Sequence, residues 1–108
     1  MESEFYQEGE HLIVVATGKL DTITAPEFGK KLISLFEKKP KSFLLDFTNI
    51  TFLSSSGLQV LLAGAKTSQK ESINFAIFGM QEMVNDVFVM SGFDQFITTY
   101  NSKEDAIG

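Results

Sequence analysis

The chain has 108 residues, 44% of them apolar, with eleven phenylalanines, no tryptophan and no cysteine, and a mean hydropathy near zero. That is the size and composition of one globular domain, expected to span 1–108, and the missing thiols exclude disulfides and zinc–thiolate centres. A net charge of −5 with no basic cluster argues against nucleic acid and against an anionic membrane surface as partners.

The first residues, Met1-Glu2-Ser3-Glu4-Phe5, carry acid where a secretory signal would be basic, and no apolar run reaches membrane-spanning length. A cytoplasmic location is the expectation. Phe5-Tyr6-Gln7, a turn at Glu8-Gly9-Glu10 and the β-branched run from His11 to Gly18 predict a hairpin whose second strand is buried. Thr24-Ala25-Pro26-Glu27 has the pattern of a capping box, with Pro26 tolerated in the first turn. Phe28, Leu32, Leu35 and Phe36 form one helical stripe. Lys30, Lys31, Lys38 and Lys39 lie off it, two of them suited to the helix C-terminus, and Pro40 closes the helix.

Phe43 to Phe47 predicts a central strand ending at the polar Thr48-Asn49, with Ile50 to Leu53 leading into Ser54-Ser55-Ser56-Gly57. Leu58, Leu61, Leu62 and Ala65 then recur at helical spacing, up to about Lys70. Ile73 to Phe78 predicts another buried strand. Met80, Met83, Val84, Val87 and Phe88 predict a third helix with its methionines on or near the core side, ended by Ser91-Gly92. Gln95 to Tyr100 predicts a last strand, and Ser102 can cap a short final helix. The order β-β-α-β-α-β-α-β-α is that of an α/β domain: a mixed sheet of four or five strands with about four helices packed against it.

The serine cluster opening the second helix is the polar feature that scaffolding explains least. Serines there read first as N-caps, but they also set hydroxyls beside free N–H groups at the positive end of a helix, which suits an anion or an added phosphoryl group. Other chemistry lacks its residues. His11 has no second histidine or cysteine with which to share a metal, and no histidine is placed to serve a serine nucleophile. The Gly-x-Ser-x-Gly elbow, the glycine-rich phosphate loops and the acidic pair of a receiver domain are all missing. No catalytic residue, metal ligand or cofactor is therefore assigned.

Asp46 through Leu58, with its strand, short loop and Ser54-Ser55-Ser56-Gly57-Leu58, resembles the signature segment of STAS domains. Gly18-Lys19-Leu20-Asp21-Thr22-Ile23-Thr24-Ala25 is similar to that family's Gly-x-Leu/Ile-Asp segment, and Met90-Ser91-Gly92-Phe93 to its turn after the third helix. The resemblance spans nearly the whole chain and implies an anti-sigma factor antagonist rather than an enzyme, with Ser55 as phosphate acceptor and Ser56 as the second choice. It implies as partners an anti-sigma factor that is itself a serine kinase and a metal-dependent serine phosphatase, so that partner switching controls transcription through a sigma factor. Asp21, Thr22, Ser54, Ser56, Gly57 and Leu58 are the implied partner-binding residues, with Gly57 letting a partner's backbone come close. Asp46 matches a family acid but reads as structural. Ser54 stands where the family usually has Asp. The alternative implied by the same resemblance is a STAS accessory subunit, never phosphorylated, in a lipid-transport or other regulatory complex.

Overall fold

The computed structural model describes every residue from Met1 to Gly108. The elements run β1 (Glu2–Glu8), β2 (His11–Leu20), α1 (Ala25–Phe36), β3 (Ser42–Leu53), α2 (Ser55–Lys70), β4 (Asn74–Phe78), α3 (Glu82–Met90), a short 3-10 helix (Phe93–Gln95), β5 (Thr98–Tyr100) and α4 (Lys103–Ile107). The five strands lie in the order β1-β2-β3-β4-β5, with β1 antiparallel to β2 and the other pairs parallel. This is the mixed α/β sheet expected from the element order, in its five-stranded, four-helix form.

Alternation along the strands sorts the core into two unequal parts. Val14, Leu45 and Ile77 face the larger part, which also takes Phe28, Leu32, Leu35 and Phe36 from α1, Leu58, Leu61 and Ala65 from α2, and Val84 and Phe88 from α3. Phe36 stacks on Phe43 with centroids 4.4 Å apart, and Phe75 closes the cluster at 5.7 and 5.8 Å. The opposite face holds only Ile13, Leu44, Ala76 and Phe78, against which Ala106 and Ile107 of α4 pack. Ser102 caps α4 by accepting the Asp105 N–H at 3.2 Å, as its place in the sequence predicts. A salt bridge of 2.6 Å from Lys103 to Glu8 ties that helix to the end of β1.

The structure departs from the sequence reading at five points. Strand β3 does not stop at Thr48 but continues to Leu53, pairing with the end of β2 across two register shifts. Ile50 and Leu53 still reach the core, while Thr48 and Asn49 are exposed because β4 pairs with β3 only as far as Asp46. The apparent capping box is not used: Thr24 makes no side-chain cap bond, and its hydroxyl turns back toward the preceding loop. Helix α1 ends at Phe36, so Lys38 and Lys39 lie beyond its last turn, and Lys39 takes the left-handed conformation that reverses the chain before Pro40. In α3 only Val84 and Phe88 are buried, whereas Met83 and Met90 are exposed. Finally, Gln95 belongs to the 3-10 turn and Phe96 follows it, so β5 keeps only Thr98 to Tyr100. Gly92, at φ +83°, ends α3 as expected.

Candidate functional site

The parallel strands β2 and β3 end side by side at Leu20 and Leu53, and each leads into a helix. The two connections therefore meet at one edge of the sheet. The Ser54 N–H donates to the Leu20 carbonyl at 3.0 Å, and the Thr22 and Ser56 hydroxyl oxygens lie 3.3 Å apart. Asp21, Thr22, Ser54, Ser55 and Ser56, distant in sequence, are thus brought together.

The turn from Asp21 to Thr24 is held by a carboxylate. Asp21 Oδ1 accepts the N–H groups of Ile23 and Thr24 at 3.0 and 3.1 Å. The Thr24 hydroxyl oxygen accepts the Asp21 N–H at 2.9 Å and donates to the Lys19 carbonyl at 2.8 Å. The Thr24 N–H is the main cause that holds the Asp21 carboxyl below the usual carboxylate range; the Ile23 N–H, the Thr24 hydroxyl and the charge of Lys19 add to it and outweigh the opposing desolvation. Asp21 is therefore a device that shapes the turn. What the turn presents outward is Thr22 and Ile23, the latter 86% exposed. Sequence reasoning passed over Ile23; the available signal was an apolar residue set between Thr22 and Thr24 in a segment otherwise polar.

The opening of α2 divides its work among three serines. Ser54 is the N-cap, its hydroxyl accepting the Gly57 N–H at 3.2 Å and its carbonyl accepting the Leu58 N–H at 2.9 Å. Ser56 faces Thr22. Ser55 is the first helical residue, exposed, with its hydroxyl engaged by no protein group, and the N–H groups of Ser55 and Ser56 have no partner within the chain. A free hydroxyl, two free N–H donors and the positive end of a sixteen-residue helix coincide there.

Gly57 does not face outward to meet a partner's backbone, whereas Leu58 keeps the core contact that its place in the helical stripe implies. Both are buried, and a Cβ at Gly57 would lie 2.8 Å from the Leu20 carbonyl oxygen and 2.9 Å from Leu53 Cδ1. The glycine lets the first turn of α2 close on the ends of its own β2 and β3, and Leu58 anchors that turn in the core. Asp46 is not at this edge. It sits within β3, eight residues before Ser54, and its Oδ1 accepts both the N–H and the hydroxyl of Thr48 at 3.0 and 2.6 Å.

Two hollows adjoin other elements, and the first of them reaches the tip of the α1 turn through Ile23 and Thr24. One of about 720 Å³ runs between the start of β1 and the start of α1, and one of about 620 Å³ between the later half of α2 and Phe96. Neither is lined by Ser55. His11 Nδ1 is 2.8 Å from the Ser42 hydroxyl, and no group of three His, Cys, Asp or Glu side chains gathers in a way that could hold a metal. No helix is long and apolar enough to cross a membrane. An exposed polar edge whose serine lines no hollow suits contact with a macromolecule better than capture of a small substrate, which favours a concave pocket.

A family model described as the STAS domain matches residues 2–106. Among known proteins, the anti-sigma-B factor antagonist of Listeria monocytogenes is 22% identical over 103 residues, covering 94% of this chain and 90% of that protein. Among solved structures, an anti-sigma factor antagonist from Mycobacterium paratuberculosis superposes with a TM-score of 0.90 at 22% identity, over 98% of this chain and 90% of that one. The Bacillus cell fate determinant SpoIIAA in its phosphorylated form gives a TM-score of 0.72 at 18% identity, over 98% of this chain and 96% of that one.

Proposed function

The chain belongs to the STAS domain family, and on that premise we propose that it is an anti-sigma factor antagonist whose binding is switched by phosphorylation of Ser55. Unmodified, it docks on an anti-sigma factor through the edge formed by Thr22, Ile23, Ser55 and Ser56, and so frees a sigma factor. The anti-sigma factor is itself the serine kinase. It transfers the γ-phosphoryl group of ATP to the Ser55 hydroxyl oxygen, releasing ADP and a proton, and in the cytoplasm a metal-dependent phosphatase hydrolyses the phosphoserine back to serine and inorganic phosphate.

The observation that carries this reading is the division of labour among the serines: Ser54 holds the helix while the Ser55 hydroxyl stands free in solvent. A phosphoryl group on Ser55 brings about −1.5 to −2 charges. The free N–H groups and the helix dipole accommodate them within the domain. A protein docked over the same spot must instead desolvate a dianion, and the complex separates without any refolding of the antagonist. The names of the relatives, and the existence of a phosphorylated form of SpoIIAA, support the same assignment. Where relatives of the family carry Asp before the acceptor, Ser54 supplies the cap without the charge.

Titration calorimetry against the anti-sigma factor of the same bacterium tests the switch. Ser55→Ala is expected to bind as the unmodified protein does, and Ser55→Asp to bind about a hundredfold more weakly, a loss of about 2.7 kcal/mol. Equal binding by the two variants would contradict the proposal.

A further inference from the structure

Helix α3 carries more apolar surface than the core can take. Val84 and Phe88 point inward and are buried, whereas Met83 and Met90 are 80% and 87% exposed and Val87 is also exposed. At 3.6 residues per turn, Met83, Val87 and Met90 fall within about 60° of one another, so they form one stripe along the outer side of the helix. Phe96, 67% exposed, follows in the chain but stands beside the later half of α2, outside this stripe.

The charge of the segment that carries this stripe has a single sign. All nine basic residues of the chain are lysines, and none lies between Lys70 and Lys103. The acids in that interval, Glu71, Glu82, Asp86 and Asp94, are all exposed. On the helical wheel Asp86 borders the methionine stripe, with Glu82 beyond it.

We infer that the outer face of α3 is a docking surface for an amphipathic helix of another protein whose apolar stripe is edged by lysine or arginine. Methionine side chains are unbranched and adaptable, so they fit a partner's apolar knobs without a preformed groove. The flanking carboxylates select a cationic partner and orient it, and they repel an anionic membrane surface. The surface stands on elements other than the Ser55 edge and does not depend on the switch proposed there.

The test is a nuclear magnetic resonance titration of the isotope-labelled chain with a synthetic amphipathic helix of leucine and lysine. Saturable shifts are expected across residues 82–90 of α3. The affinity should fall about tenfold in Met83→Ser/Met90→Ser, weaken with added salt, and stay unchanged in Ile33→Ser, which alters an exposed apolar residue on α1. Because both methionines are exposed, the double variant is expected to keep its melting temperature. Shifts scattered over the acidic surface, or full affinity in the double variant, would overturn the inference. So would self-association of the free chain in sedimentation that the double variant abolishes, since the occupant would then be a second copy.

Discussion

The openings of α1 and α2 lie side by side, joined by the contact of Thr22 with Ser56, yet they are held in different ways. The first is fixed from outside the helix by the Asp21 carboxylate and offers an apolar tip at Ile23. The second is fixed from within by the Ser54 hydroxyl and the close fit of Gly57, and offers a free hydroxyl at Ser55. In each, one polar side chain is consumed in making the backbone rigid so that its neighbour can face outward. Sequence motifs name both kinds of residue without distinguishing them; the hydrogen bonds do.

The sharpest way to break this comparison is at Gly57. Ala there places a Cβ against the Leu20 carbonyl oxygen, a backbone atom that cannot turn aside, and against the buried Leu20 and Leu53 side chains. Gly57→Ala is expected to destabilise the fold by about 1–3 kcal/mol, the usual cost of overpacking, seen as a clear drop in thermal midpoint. Ser54→Ala removes the cap and leaves the Gly57 N–H unpaired, for a loss of about 1 kcal/mol in denaturant titration. Ser55→Asp should act in the opposite sense, gaining about 0.3–1 kcal/mol from the helix dipole at low salt; a destabilised Ser55→Asp would mean that the edge does not tolerate a charge.

The smallest effect belongs to Asp21. Its folded carboxyl is held below the usual range, so its contribution to stability is present above the unfolded-state pKa and is lost as pH falls through the lower folded value. The amide signals of Ile23 and Thr24 should therefore titrate at a more acidic midpoint than those next to an exposed aspartate. In Asp21→Asn that transition should vanish while α2 remains unaltered.

The sequence makes β2, the start of α2, the Gly92 stop and the Ser102 cap legible, because each follows from a local rule that the fold obeys. The break expected at Thr48-Asn49 is strand because β2 pairs there through register shifts, which no local pattern displays. The Thr24–Glu27 signature failed because the Thr24 hydroxyl is engaged by the Asp21 N–H and the Lys19 carbonyl, and the Thr24 N–H, which Glu27 would accept in a capping box, goes to the Asp21 carboxylate instead. The α3 stripe was misassigned because periodicity identifies a helical face but not whether a neighbour exists to cover it. At the site, the serines were readable as a cluster, whereas the free state of Ser55 required knowing which hydroxyl caps the helix.

The most direct test of the switch is the intact mass of the chain after incubation with the proposed anti-sigma factor kinase and ATP, followed by fragmentation to locate the phosphate and by comparison of amide spectra. One phosphoryl group on Ser55 is expected, with spectral changes confined to the two loops that join β2 to α1 and β3 to α2. A phosphate on Ser54, an unmodified chain, or changes spread through the core would contradict the account.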